Sequence, residues 1–110
     1  MPTAATQAIF AAISAGDVAA ITALLDADPG HVHARQTDPV HGEFTLLQFA
    51  AANGQLAACR LLVERGAEVY TNPMSTYPPV MHAAWGKHDD VVKYFLEEIP
   101  ARRWARTAWA

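Results

Sequence analysis

A single cysteine, Cys59, stands in this chain of 110 residues. That excludes an intrachain disulfide and a thiolate metal cluster. It fits a reducing compartment, so a cytoplasmic location is the expectation. Charge is also scarce: Asp, Glu, Lys and Arg make up 17% of the residues, and the net charge is −3. Phosphate recognition needs a basic face, so nucleic acid is not expected as a partner. No apolar run reaches the roughly 20 residues a bilayer crossing requires. No basic segment followed by a long apolar one opens the chain. Neither a membrane partner nor a secretory signal is therefore expected. The chain also shows no nucleophile–base–orienter set, no glycine-rich phosphate loop and no acidic pair sharing a helical face. No catalytic residue, cofactor or resident metal is assigned, and the chain is not expected to be an enzyme.

What is present is apolar. Hydrophobic residues make up 52%, too many for a disordered chain. The length allows one domain with a modest core. Alanine is abundant, which favours closely packed helices. Residues 1–100 hold five basic residues and all eleven acids. The last ten, Ala101 to Ala110, hold Arg102, Arg103 and Arg106 and no acid.

Internal repetition is the strongest signal. The segment Ala50 to Ala67 aligns without a gap to Ala83 to Pro100, at an offset of 33. That offset pairs Cys59 with Val92, Arg60 with Lys93, Leu62 with Phe95, Val63 with Leu96, and Glu64 with Glu97. An earlier copy matches at an offset of 38: Gly16, Leu24 and Leu25 against Gly54, Leu62 and Val63. The additional residues belong in Gln36 to Glu43, which is rich in Pro, Gly and Asp.

Each copy reads as two helices. Val18, Ile21, Leu24 and Leu25 recur at three- and four-residue steps, the stripe of an amphipathic helix. Leu56, Cys59, Leu62 and Val63 do the same, as do Val91, Val92, Phe95 and Leu96. Asp89 and Asp90 open the last of these helices, where they complement its dipole and can accept orphan amide hydrogens. The helices before them are short and alanine-rich: Ala8 to Ile13, Leu46 to Ala52 and Pro79 to Trp85. Small residues allow close approach, so these are the interior helices. Gly54 and Gly66 close the two helices of the second copy. Asp38-Pro39 and Asn72-Pro73 mark turns between copies.

A 33-residue helix–turn–helix with turn-rich connectors resembles the ankyrin repeat. The second copy, TLLQFAAANGQLAACRLLVERGAEV, follows the family pattern T-P-L-H-x-A-A-x-x-G-H…V-V-x-x-L-L-x-x-G-A. In that pattern Thr45 caps the first helix, Gly54 separates the helices and Gly66-Ala67 closes the unit. Gln48 stands for the histidine and can reach back to the Thr45 amide as in a capping box. The third copy reads Pro78-Pro79-Val80-Met81, which loses that arrangement but places Pro79 in a first helical turn, where its missing amide hydrogen costs nothing. Lys87 stands where the family has glycine, with Gly86 one residue early. The expected fold is all-α: a solenoid of about three stacked helix–turn–helix repeats, near 6–35, 43–70 and 76–100, with short hairpin-like connectors. Residues 1–100 form the repeat domain and 101–110 an atypical tail.

The resemblance implies that the turns and inner helices line a concave surface binding a protein partner, whose identity the sequence does not give. Candidate contact residues are Phe44, Phe49 and Asn53 from the second copy, and Met74, Tyr77, His82 and Trp85 from the third. Phe49 and His82 are equivalent, as are Ala52 and Trp85, and should lie side by side along the groove. Packing of Phe49 and Trp85 against neighbouring repeats is the plainer alternative.

Three other features have competing readings. His31, His33 and His41 suggest a metal-dependent or hydrolytic site, but imidazoles two residues apart in extended chain point opposite ways, and no acid or cysteine stands at clear ligand spacing. His88, beside Asp89 and Asp90, suggests acid–base work, but the ankyrin resemblance implies a histidine at the start of the second helix, acting as a cap. The tail, with Trp104 and Trp109, reads as a cap on the third repeat, a contact to a second subunit, or an abnormal end on a longer ankyrin array. An open third-repeat face would favour self-association.

Overall fold

The computed structural model describes residues 4–38, 42–69 and 78–99. Among the described residues, six α-helices form three antiparallel pairs: α1 (Ala4–Ala15) with α2 (Val18–Ala27), α3 (Leu46–Ala52) with α4 (Leu56–Glu64), and α5 (Pro79–Trp85) with α6 (Asp89–Lys93). α6 runs on into a π-helical turn, Tyr94–Glu98. The first helices pack in series, α1 on α3 and α3 on α5. The second helices form a parallel layer, α2 on α4 and α4 on α6. The apolar stripes meet between the layers, where Ile9, Ile13, Ile21, Leu25, Leu46, Leu47, Leu62, Val91 and Phe95 are fully buried.

Local chemistry explains where these helices begin. The Asp17 carboxylate accepts the Ala20 amide at 3.1 Å and starts α2. Thr45 and Gln48 form the reciprocal box: Gln48 N–H donates to Thr45 Oγ1 at 3.1 Å, and Thr45 N–H donates to Gln48 Oε1 at 2.8 Å. Gln48 is fully buried, so this bond also satisfies a polar group removed from water. α5 has no side-chain cap and opens on the buried ring of Pro79. The Val91 amide donates to Asp90 Oδ1 at 2.9 Å, as the acids at that helix start suggested.

The additional residues of the first interval build a β-hairpin. β1 (Arg35–Asp38) pairs antiparallel with β2 (Gly42–Thr45), with Arg35 opposite Thr45. Between α2 and β1 lies a 3-10 helix, Pro29–His33, capped by Asp28, which accepts the Gly30 amide at 3.2 Å. His31 and His33 therefore sit on one short helix and not on extended chain. The correction leaves them divergent, because residues two apart on a 3-10 helix are about 240° apart around its axis.

The turn between paired helices has one conformation three times over. Gly16 (φ 71°), Gly54 (φ 70°) and Lys87 (φ 60°) all adopt the left-handed region. In the third pair lysine takes that conformation, while Gly86 beside it has φ −82°. The sequence suggested a glycine shifted by one place; the structure keeps the turn in register and strains the lysine. A left-handed non-glycine residue costs about 1–2 kcal/mol, and glycine gives part of that back as unfolded-chain entropy. Lys87→Gly is therefore expected to raise stability by about 0.5–1 kcal/mol, read as a higher urea midpoint at unchanged slope.

Neighbouring pairs are also joined by polar contacts. Arg65 of α4's C-terminal end meets Asp26 of α2 at 2.8 Å. Arg60 of α4 grips Glu98 with two bonds, of 2.6 and 2.8 Å, and lies 4.8 Å above the Tyr94 ring. The paired guanidinium donates hydrogen bonds to the Glu98 carboxyl and holds it below the ordinary carboxylate range.

Candidate functional site: the inner-helix face

α1 (AATQAIFAAISA), α3 (LLQFAAA) and α5 (PVMHAAW) contain no Asp, Glu, Lys or Arg. The side chains they leave exposed are small, polar or apolar, among them Ala8, Ala11 and Ser14 on α1 and Met81, Ala84 and Trp85 on α5. Charge in the helical layers is confined to the second helices and their ends, as with Asp26, Arg60, Glu64, Asp89 and Lys93.

Five aromatic rings run along this face in contact. Phe10 of α1 meets Phe49 of α3 edge-on at 5.2 Å between centroids. Phe49 meets Phe44 of β2 at 6.2 Å. Phe44 meets His82 of α5 at 5.1 Å, and His82 meets Trp85 at 5.5 Å. Edge-to-face pairs at these spacings are favourable beyond their area burial. The hairpin explains the order: β2 ends at Thr45, the cap of α3, so Phe44 is delivered over the gap between α3 and α5.

The candidate residues fare differently along this line. Trp85 is 55% exposed and ends it. Asn53 is exposed, and its side-chain amide donates to the Phe49 carbonyl at 2.8 Å, which closes α3. Phe44 and Phe49 are half-buried and pack on the core. His82 is only 8% exposed. Its placement as a projecting contact is corrected: Phe44 on one side and Trp85 on the other cover the ring, so it supports Trp85. Phe49 and His82 do lie along one line, with Phe44 between them. Met74 and Tyr77 lie outside the described residues, as do His41, both proline turns (Pro39 and Pro73) and the tail 101–110.

His88 was read as a cap, but it makes no side-chain cap to α6. Its Nε2 lies 3.1 Å from the Ala52 carbonyl oxygen, at the end of α3 in the preceding pair. Two glycines make room for the ring. A Cβ on Gly54 would stand 2.5 Å from His88 Nδ1, and one on Gly86 2.7 Å from Cδ2. The bond satisfies a carbonyl that α3 leaves open at its C-terminus and ties the third pair to the second.

Cys59 faces the core and is fully buried. Burial pushes its thiol up to about 12, with the nearby Asp90 charge acting in the same sense. At neutral pH it is a thiol and a poor nucleophile. His31 Nδ1 stands 3.5 Å from Asp28 Oδ2, but among the described residues no three His, Cys, Asp or Glu side chains converge on a metal-sized site. No helix among them is long and apolar enough to cross a membrane.

With this geometry in hand, comparison with known proteins is direct. A family model of ankyrin repeats, in three copies, matches residues 8–104. A probable E3 ubiquitin-protein ligase, XBOS31 of Oryza sativa subsp. japonica, is 40% identical over 88 residues, covering 80% of this chain and 19% of that protein. The ankyrin repeat and SAM domain-containing protein 6 of Rattus norvegicus is 31% identical over 91 residues, 82% of this chain and 10% of its own length. The human tRNA endonuclease ANKZF1 is 34% identical over 97 residues, 86% of this chain and 13% of its own length. The chain thus spans between a tenth and a fifth of the length of these relatives.

Proposed function

We propose, from the fact that this chain belongs to the ankyrin repeat family, that its inner-helix face is the binding surface for a protein partner. Ankyrin repeats are generally protein-interaction modules and generally not catalytic. The observation that carries the finer reading is the uncharged inner face ending in Trp85, 55% exposed on a line of packed rings. Exposed tryptophan held by neighbours is the kind of anchor that dominates interface energy. Its ring needs no reordering on binding, because His82 already fixes one edge. The relatives support the same reading. A ligase and an endonuclease share this stretch, which is a small part of each; a part common to proteins of different activity is more simply a docking element than a catalytic one.

Trp85→Ala is expected to cost about 2 kcal/mol or more of binding energy, roughly a thirtyfold loss of affinity. The check is affinity capture from the native host with wild type and variant side by side, both shown to be helical by circular dichroism. Partners retained by the wild type and lost by Trp85→Ala support the surface. An identical retained set for the folded variant contradicts it.

A further inference from the structure

Asn53 and Gly54 make the turn that follows α3. Asparagine before glycine is the step most open to deamidation, because glycine puts no side chain in the way of its own backbone nitrogen. The Gly54 nitrogen attacks the side-chain carbonyl carbon of Asn53 and gives up its proton as that C–N bond forms. The bond to the side-chain nitrogen breaks, and ammonia leaves with the proton. Water then opens the five-membered imide at either carbonyl, which leaves an aspartyl or an isoaspartyl residue. The chain has one other asparagine, Asn72, and it precedes Pro73, whose nitrogen has no hydrogen to lose.

Asn53 is exposed, so water reaches it. The fold nonetheless holds the reacting atoms apart. Asn53 has ψ −1°, which eclipses the Gly54 nitrogen with the backbone nitrogen of Asn53; ring closure needs it over Cβ instead. The Gly54 N–H donates to the Ala51 carbonyl at 3.1 Å, and the Asn53 side-chain amide donates to the Phe49 carbonyl at 2.8 Å. Turning the peptide breaks the first bond, and swinging the side chain round breaks the second. Against the turn lies the His88 ring, with Nδ1 2.5 Å from where a Gly54 Cβ would stand and Nε2 on the Ala52 carbonyl. Gln55, 33 residues before His88, fills the same place in the preceding pair: its Oε1 lies 2.8 Å from where a Gly16 Cβ would stand.

We propose that Asn53 is a deamidation site gated by the seating of the third helix pair on the second. The turn opens to the reactive geometry when the His88 ring leaves its seat. The product changes the end of α3. A carboxylate replaces the donor to the Phe49 carbonyl, and its charge stands at the negative end of the helix dipole. It also brings a charge to a face whose three helices have none. Weaker partner binding after conversion rests on the reading of that face given above; the conversion itself does not.

Timed incubation of the full chain at mildly alkaline pH, followed by tryptic digestion and mass spectrometry, tests the proposal. Asn53 lies in the peptide 36–60. In the folded wild type this peptide should slowly take on the mass of the acid and split into aspartyl and isoaspartyl forms. His88→Ala, shown to be helical by circular dichroism, should convert roughly two- to tenfold faster, the factor by which one lost hydrogen bond favours the open turn. His88→Gln supplies the side chain that Gln55 uses and should restore the wild-type rate. In urea all three chains should convert at one rate, faster than any of them folded. Equal folded rates for wild type and His88→Ala overturn the gate. A slower His88→Ala overturns it as well, since the ring would then act as the base that deprotonates Gly54. A folded wild type whose peptide stays unconverted after the urea sample has reacted fully overturns the site.

Discussion

Phe95→Ala is expected to destabilise the fold by about 3–5 kcal/mol, the usual range for removing a fully buried phenylalanine. Among the described residues Phe95 is the largest side chain with no solvent exposure, and it belongs to the third helix pair. Two consequences should follow together. The urea midpoint should fall by a large fraction of the total, since a domain of this size holds about 5–15 kcal/mol in all. Because each pair contacts only its neighbours, amide protection in α5 and α6 should be lost before that in α1 to α3. Uniform loss across all six helices would mean that the stack unfolds as one unit. Hydrogen exchange read residue by residue distinguishes the two.

The second large effect is expected at Gly54. Alanine there would take on the left-handed backbone at φ 70°, at a cost of about 1–2 kcal/mol. Its Cβ would also stand 2.5 Å from His88 Nδ1. The ring has to turn away, and the bond to the Ala52 carbonyl goes with it, at about 0.5–1.5 kcal/mol. A total near 2–3 kcal/mol follows for Gly54→Ala. In the background His88→Ala the collision is gone and only the backbone strain remains. The cost of Gly54→Ala should then shrink to about 1–2 kcal/mol. An equal cost in both backgrounds would show that the ring does not occupy that space.

How far the sequence foresaw this can be judged from particular residues. The helix pairs were legible because the pattern that specifies them is local: apolar stripes at helical spacing, Thr45 and Gln48 as caps, and Gly54 and Gly66 as stops. The Thr45–Gln48 box was legible as well, since it depends on three-residue spacing alone. His88 was not. Its partner is the Ala52 carbonyl, and a backbone acceptor 36 residues away leaves no mark on composition. Lys87 was read as standing at the family's glycine position, with Gly86 one residue early; that the lysine itself takes the left-handed backbone is not written in its residue type. Nor was the π-helical turn at Tyr94–Glu98 foreseen; its residues continue a helical stripe, and no side-chain pattern marks the widening.

The binding surface was legible in outline only. The 33-residue offset suggested that Phe49 and His82 lie side by side, whereas the rings of both meet Phe44 between them. It could not show that Phe44, carried in by the hairpin, fills the space between them and helps to cover His82. Met81 escaped notice because its counterpart 33 residues earlier, Gln48, is a buried capping residue. The clearest mark of the inner face, three helices without a charged residue, was present in the sequence all along.

The central claim is that the second and third helix pairs are one unit repeated and laid in direct contact, with His88 seated between Gly54 and Gly86. Nuclear Overhauser spectroscopy on the isotope-labelled chain tests it most directly. The account predicts cross-peaks from the His88 ring protons to the α-protons of both Gly54 and Gly86. A His88 ring that shows contacts only within its own helix pair, with none to Gly54, would contradict the stacking on which both the inner face and its proposed partner surface depend.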